Sequence, residues 1–173
     1  MYQRILVPID GSATSERGLT EAIAIARMSR GSIRLLHVLD ELVFVTGYEA
    51  GASYLKTVLP KLRENSEQIL VAARERVAAA GIDADTLCVE CFGQRTSDII
   101  VEQATAWPAD LIVLGTHGRR GVGRLMLGSD AEQVLRMTPV PVLLVRSPDT
   151  ASGVRAARSP AAEAAAGLGA LAG

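Results

Sequence analysis

The chain has 173 residues, of which 49% are hydrophobic but only 3% aromatic, and its 18 basic and 19 acidic residues leave a formal net charge of −1. This length suits one domain with an extension, and a core with so few aromatic rings must be aliphatic, as where helices pack on a buried parallel sheet. The near-neutral charge and the lack of an apolar run long enough to span a membrane argue against recruitment to nucleic acid or to a membrane, so we expect a cytoplasmic protein.

Strand and helix patterns alternate over the first 147 residues. The predicted strands cover 3–9, 32–39, 84–91, 110–115 and 140–146, and the predicted helices cover about 14–29, 57–80, 96–106 and 130–137. Because such elements are joined by right-handed crossovers, the pattern predicts an α/β fold, a doubly wound five-stranded parallel sheet with helices on both faces. Ligands of such sheets bind beyond the carboxyl ends of the strands, so polar residues there are the first candidates for a site.

Residues 1–4 lead directly into the first strand and do not resemble a signal peptide, and Asp10 follows that strand. A carboxylate at this point can accept hydrogen bonds from ribose hydroxyls. It can also be an ordinary turn residue that precedes the first helix. The local pattern favours the turn, whereas the glycine-rich loop farther along the chain favours ribose.

The second strand holds His37, which we interpret as a packed strand residue. The side chain of its neighbour Val38 indicates no chemistry by itself. Residues 40–56 follow without a clear hydrophobic period, and we expect them to form a mobile excursion before the second helix.

The third strand holds both cysteines, Cys88 and Cys91, in a C-x-x-C spacing. This spacing occurs in redox and metal sites, but residues three apart on a strand point to opposite faces. The two thiols therefore cannot share a metal or form a disulfide unless the strand is broken. Free cysteines that pack as small hydrophobic residues are the favoured interpretation.

Residues 115–129 form a loop between the fourth strand and the fourth helix that contains five glycines and three arginines. Glycine lets the backbone approach a ligand, and the amides at a helix start favour negative charge. The loop lacks the Gly-Lys pair of a P-loop, and residues 118–123 have the pattern G-x-x-G-x-G instead of the dinucleotide fingerprint. The loop is therefore neither a P-loop nor a Rossmann turn, and it predicts a binding site for a phosphorylated small molecule.

The arginines of this loop, Arg119, Arg120 and Arg124, can neutralise phosphate charge or lie in solvent, and Arg119 is the strongest candidate. His117 has no paired base, nucleophile or metal ligand in the sequence pattern, so it gives little support for catalysis. We assign no catalytic residue and no metal ligand.

The fourth helix is predicted to begin after Ser129. The sequence from Ser129 to Glu132 fits a capping box, in which the serine accepts from the Glu132 amide. The free amides of Gly128, Ser129 and Asp130 can bind a phosphate at the same time. Asp130 suits the helix dipole, but it repels a terminal phosphate unless a divalent cation or an arginine lies between them.

Residues 148–173 consist mainly of alanine, glycine, serine and proline and show no aliphatic stripe. We expect a flexible tail, which places the domain at 1–147 and the tail at 148–173.

Four landmarks together resemble the universal stress protein family over about residues 1–147. They are the G-x2-G-x9-G-[ST] loop, the opening run 4–12, the strand end 35–38 and the last strand 139–145. The resemblance implies a sheet order of 3-2-1-4-5. It also implies an adenine nucleotide as ligand, namely ATP or else ADP or AMP, and it leaves open whether Mg or Mn binds with the nucleotide. It departs at Asp130, where the family usually has a neutral residue, and this puts affinity for a triphosphate in doubt.

The resemblance also implies the parts of the site. The Asp10 carboxylate binds the ribose, the Val38 backbone binds the adenine ring, and Pro8 lies beside Val38 in the pocket. The candidate binding residues are Pro8, Ile9, Asp10, Val38, Gly115, Thr116, Gly118, Arg119, Gly128, Ser129 and Asp130. The family commonly forms homodimers through the last strand, whose apolar edge here, 140–145, needs a cover.

The favoured function is an ATP-binding stress-response protein that acts as a regulatory binding module. Two alternatives stay open. One is a slow ATP hydrolase or phosphotransferase in the same pocket, because phosphoryl transfer relies largely on positioning. The other is a protein-interaction module without nucleotide, against which the intact glycines argue.

Overall fold

The protein was analysed as a computed structural model, which describes residues 1–40, 58–116 and 127–146. The expected excursion after Asp40, most of the glycine-rich loop and the expected tail lie outside the described residues. The domain boundary at residue 147 and the flexibility of the tail therefore stay predictions.

The described residues form a five-stranded sheet in which strands and helices alternate. The elements are β1 (Arg4–Pro8), α1 (Ala13–Ser29), β2 (Ser32–Asp40), α2 (Leu59–Ala79), β3 (Ala84–Cys91), α3 (Thr96–Ala106), β4 (Leu111–Gly115), α4 (Ser129–Met137) and β5 (Val142–Val145). All four strand pairs are parallel, and the strand order is β3-β2-β1-β4-β5. The predicted fold class and sheet order are both confirmed.

Aliphatic cores lie on both faces of the sheet, because successive strand side chains point in opposite directions. On one face, Ile5 and Val7 pack against α1 and α2 through residues such as Leu19 and Val77. On the other face, Leu6 packs in a second cluster to which α3 and α4 contribute. β1 is central, so it is buried from both sides, as the near absence of aromatic residues led us to expect.

Most element ends agree with the sequence pattern to within two residues. The Ser12 side chain caps α1 by accepting from Ser15 N–H at 3.2 Å. At the other end of α1, the C-cap is Arg30, which has a left-handed conformation with φ of +55°. Among the helices of the described residues, none has an apolar stretch that could cross a bilayer.

A carboxylate aligns the amino ends of β1 and β4. Asp110 accepts hydrogen bonds from Gln3 N–H at 2.8 Å and from Arg4 N–H at 3.1 Å, and its own N–H donates to the Arg4 carbonyl at 2.9 Å. Because both strands run in the same direction from this point, their carboxyl ends reach the same edge of the sheet.

Candidate functional site

Those candidate polar residues that the structure describes lie at the carboxyl edge of the sheet, where three backbone hydrogen bonds join its parts. Ile9 N–H donates to the Leu36 carbonyl at 2.8 Å, which joins the chain after β1 to β2. Thr116 N–H donates to the Val145 carbonyl at 2.9 Å, and the Thr116 carbonyl accepts from Gly128 N–H at 2.9 Å. The ends of β1 and β4 and the start of α4 are therefore fixed at one edge.

Asp10 supports the turn that leads from β1 into α1. Its Oδ1 accepts from Ser12 N–H at 2.9 Å, and Gly11 between them has φ of +77°, a conformation that glycine adopts without steric cost. Ser15 Oγ accepts from Asp10 N–H at 3.4 Å and donates to the Ser12 carbonyl at 2.9 Å. The turn interpretation of Asp10 is confirmed, and its contact with a ribose stays a prediction.

Val38 lies near the end of β1, but not directly beside Pro8. The strand register places Pro8 opposite Leu36, two residues before Val38, and the shared pocket of Pro8 and Val38 stays a prediction. Because β1 ends at Pro8 while β2 continues to Asp40, Val38 lies beyond the last residue of β1. Pro8 and Val38 nevertheless share a face of the sheet. Pro8 is paired with Leu36, and Leu36 and Val38 point the same way because they are two residues apart on one strand.

His37 is buried, with 3% of its surface exposed, and its Nδ1 lies 2.7 Å from the Ile9 carbonyl oxygen. The interpretation as a packed strand residue is confirmed. The hydrogen bond to Ile9 is a feature that the sequence pattern missed, and its only signal was a polar side chain directly before Val38 on a strand that leads to the predicted site.

Gly115 ends β4 where α1 crosses the sheet. A Cβ at this position would lie 2.9 Å from the Thr14 carbonyl carbon and 3.1 Å from the Ser15 amide nitrogen. Both are backbone atoms, which cannot rotate away as the end of a side chain can. Residue 115 therefore has no room for a side chain, and this packing requirement explains the glycine independently of a ligand or of a strand-to-loop turn.

The glycine-rich loop begins and ends on described residues that hold its two ends together. Thr116 is buried, and its carbonyl accepts the hydrogen bond from Gly128. Residues 117–126, which include the candidates Gly118 and Arg119, lie outside the described residues. Their roles stay predictions.

The start of α4 differs from the predicted capping box. The N-cap is Gly128, with φ of −60° and ψ of 145°, and no side-chain hydrogen bond caps the helix. Glu132 N–H donates to the Gly128 carbonyl at 3.0 Å, while its carboxylate pairs with Arg136 at 2.8 Å. The helix thus begins one residue earlier than predicted, which places Ser129 and Asp130 in its exposed first turn. The prediction of a free amide at Gly128 is wrong, because this N–H donates to the Thr116 carbonyl. The amides of Ser129 and Asp130 precede the first intrahelical bond, and their contact with a phosphate stays a prediction.

The two cysteines lie in β3 as predicted, and both are free thiols. The interpretation as packed hydrophobic residues is confirmed for Cys91, which is buried, and is wrong for Cys88, which is exposed because it points to the other face of this edge strand. Partial burial raises the pKa of the Cys88 thiol, and the nearby carboxylate of Glu90 raises it further. The thiol therefore stays protonated near neutral pH, which makes it a poor nucleophile. In the described part of the chain, no group of three or more histidine, cysteine or acidic residues could hold a metal.

Comparison with known proteins places this geometry in a family. The sequence pattern described as "Universal stress protein family" matches residues 1–146. The universal stress protein MJ0531 of Methanocaldococcus jannaschii is 34% identical over 148 residues, which are 86% of this chain and 84% of that protein.

Solved structures also have similar folds. The universal stress protein UspA from Lactobacillus plantarum has a TM-score of 0.72 at 26% identity, covering 84% of this chain and 98% of that one. A universal stress protein in complex with cAMP has a TM-score of 0.59 at 27% identity, covering 84% of this chain and 97% of that one.

We expect Gly115→Ala to lower the free energy of unfolding of the ligand-free protein by about 1–3 kcal/mol, because the added methyl group overlaps backbone atoms of α1. Urea denaturation measures the change. The matched control is Gly18→Ala on the opposing helix, where a Cβ would come no closer than 3.7 Å to any neighbour and alanine favours the helix by about 1 kcal/mol. If both variants are as stable as the wild type, the packing account of Gly115 is wrong.

Proposed function

The chain belongs to the universal stress protein family, and on that premise we propose that it binds an adenine nucleotide at the carboxyl edge of its sheet and acts as a regulatory module in the stress response. The observation that carries the proposal is the hydrogen bond from Gly128 N–H to the Thr116 carbonyl at 2.9 Å. It holds the first turn of α4, whose amides precede the first intrahelical hydrogen bond, against the end of β4. The related protein that was solved in complex with cAMP supports an adenine nucleotide as the class of ligand.

The proposed site has three parts that match the three parts of a nucleotide. The Asp10 carboxylate receives the ribose hydroxyls, and the Val38 backbone receives the adenine ring, with Pro8 and Ile9 at the end of β1 lining the pocket. The phosphates lie at the amides that begin α4, where the helix dipole favours negative charge.

The phosphate end of the proposed site draws on both ends of the glycine-rich loop. The backbone at Gly115 and Thr116 and the helix start at Gly128, Ser129 and Asp130 form its described part. Gly118 and Arg119 from within the loop complete it. The proposed ligand is ATP, or else ADP or AMP, and a divalent cation, Mg or Mn, would offset the charge of a triphosphate next to Asp130.

We expect Asp10→Asn to weaken the binding of adenine nucleotides by about tenfold or more, because hydrogen bonds to a charged acceptor contribute about 1.5–3 kcal/mol. The asparagine side chain keeps an oxygen for the Ser12 amide, so the turn into α1 is retained. Asp10→Ala removes both functions and should also lower the melting temperature. Isothermal titration calorimetry with ATP, ADP and AMP measures the affinities.

Mass spectrometry of nucleotide released from the heat-denatured protein identifies the natural ligand. A wild-type protein that gives no heat and no thermal shift with any adenine nucleotide, with or without magnesium, would refute the proposed function. Turnover of ATP that disappears in Asp10→Asn would favour the slow hydrolase instead of the binding module.

We expect Asp130→Asn to raise the affinity for ATP about three- to tenfold relative to AMP when no divalent cation is present. The exposed carboxylate lies in the first turn of α4, where it repels the additional phosphates of ATP at the proposed site. Added magnesium should reduce this gain, because the cation then offsets the repulsion. The matched control is Glu132→Gln, since Glu132 pairs with Arg136 and should affect both nucleotides equally. An unchanged ratio of the two affinities in Asp130→Asn would place the phosphates away from this turn.

We also propose a homodimer that pairs through β5. This strand is at one side of the sheet, with no further strand beside it among the described residues, and Leu143 within it is 36% exposed, so apolar surface lies beside the backbone of an edge strand. We expect Leu143→Arg to convert the dimer to a monomer, as measured by analytical ultracentrifugation. The control is Phe92→Arg, because Phe92 is exposed after the opposite edge strand β3 and should leave the dimer intact. A wild-type protein that sediments as a monomer at micromolar concentration contradicts the proposed dimer.

A further inference from the structure

His37 is a buried histidine whose imidazole meets the backbone just after β1 has ended. Its Nδ1 lies 2.7 Å from the Ile9 carbonyl oxygen. Since a carbonyl oxygen can only accept, Nδ1 must carry the hydrogen of this bond. The interaction therefore fixes the tautomer of the neutral ring as the one protonated at Nδ1.

The peptide group between Ile9 and Asp10 is held from both sides. Its carbonyl oxygen accepts from His37, and its N–H, which belongs to Asp10, donates to Ser15 Oγ at 3.4 Å. The preceding N–H, that of Ile9, donates to the Leu36 carbonyl at 2.8 Å. Because a peptide group is planar, fixing its two polar atoms fixes the plane from which the Asp10 side chain departs.

An apolar side chain would satisfy packing alone at this position. His37 stands between Leu35 and Leu39 on the same face of β2, and both leucines are buried. Burying an imidazole in such surroundings costs free energy unless its polar atoms find partners. One polar partner is the Ile9 carbonyl, next to Asp10, which the proposed site uses.

We propose that His37 is a positioning residue for Asp10. The inference rests on the proposed function, in which the Asp10 carboxylate receives the ribose. Through the Ile9 carbonyl, the imidazole holds the turn that carries Asp10 against β2, and His37 directly precedes Val38, the proposed adenine contact. One side chain thus fixes the spacing between the ribose-binding turn and the adenine-binding strand.

We expect His37→Leu to weaken nucleotide binding by about fivefold or more, because the Ile9 carbonyl loses its buried donor and the turn loses its position. His37→Asn should restore most of the affinity, since its amide nitrogen can donate to the same carbonyl. Leu35→Ala controls for lost stability, because it opens a cavity in the core on the same face of the strand but leaves the donor of the hydrogen bond to the Ile9 carbonyl in place. Its affinity should stay within about twofold of the wild type at a temperature where all variants are folded.

A double-mutant cycle tests whether His37 acts through Asp10. In an Asp10→Ala background, His37→Leu should reduce affinity by much less than it does in the wild type, because the residue that it positions is absent. An equal loss in both backgrounds, or a loss that His37→Asn does not recover, overturns the inference while the proposed function stands. A wild-type protein that binds no nucleotide rejects both.

A measurement without nucleotide provides an independent readout. Long-range ¹H–¹⁵N correlation spectra of the imidazole distinguish the two neutral tautomers. A ring protonated at Nδ1 in the wild type supports the hydrogen bond to Ile9, and a ring protonated at Nε2 alone rules it out.

Discussion

The first turn of α1 lies so close to the end of β4 that residue 115 has no room for a side chain, and much of the candidate site depends on this approach. The atoms that a side chain would meet belong to the backbone of Thr14 and Ser15. Ser15 in turn accepts the hydrogen bond of Asp10 N–H. A larger residue at 115 would therefore push apart the turn that carries Asp10 and the strand end from which the glycine-rich loop leaves.

The amino and carboxyl edges of the sheet, where the strands begin and end, have different roles. At the amino edge, polar side chains tie elements to one another: Asp110 binds the amides of Gln3 and Arg4. Near the same edge, Arg34 pairs with Asp85 and lies 4.7 Å from the centre of the Trp107 ring. At the carboxyl edge, backbone hydrogen bonds join the ends of strands and loops, and the His37 side chain binds the Ile9 carbonyl. A rigid aliphatic sheet between these edges is the kind of scaffold on which binding loops are commonly placed.

Several candidate residues have a structural role besides their proposed role in binding a nucleotide. Asp10 accepts the Ser12 amide, Gly115 admits α1, and Gly128 caps α4 while it closes the base of the loop. Because each residue has a structural role, each taken alone allowed an ordinary structural interpretation. Their shared location indicates a ligand, because the structural roles bring these residues together at the carboxyl edge of the sheet.

The sequence by itself determined the fold class, the order of elements and the position of the candidate residues at strand ends, because hydrophobic periodicity and the spacing of glycines are local properties of the chain. It also predicted that Cys88 and Cys91 lie on one strand with their side chains on opposite faces, but it did not predict that Cys88 is exposed. Only the tertiary structure decided the cap of α4, the offset between Pro8 and Val38, the reason for Gly115 and the partner of His37. Each of these features depends on how far one element extends past another. The contacts between Ile9 and His37 and between Thr14 and Gly115 join residues that are distant in sequence, so no local sequence pattern predicts them.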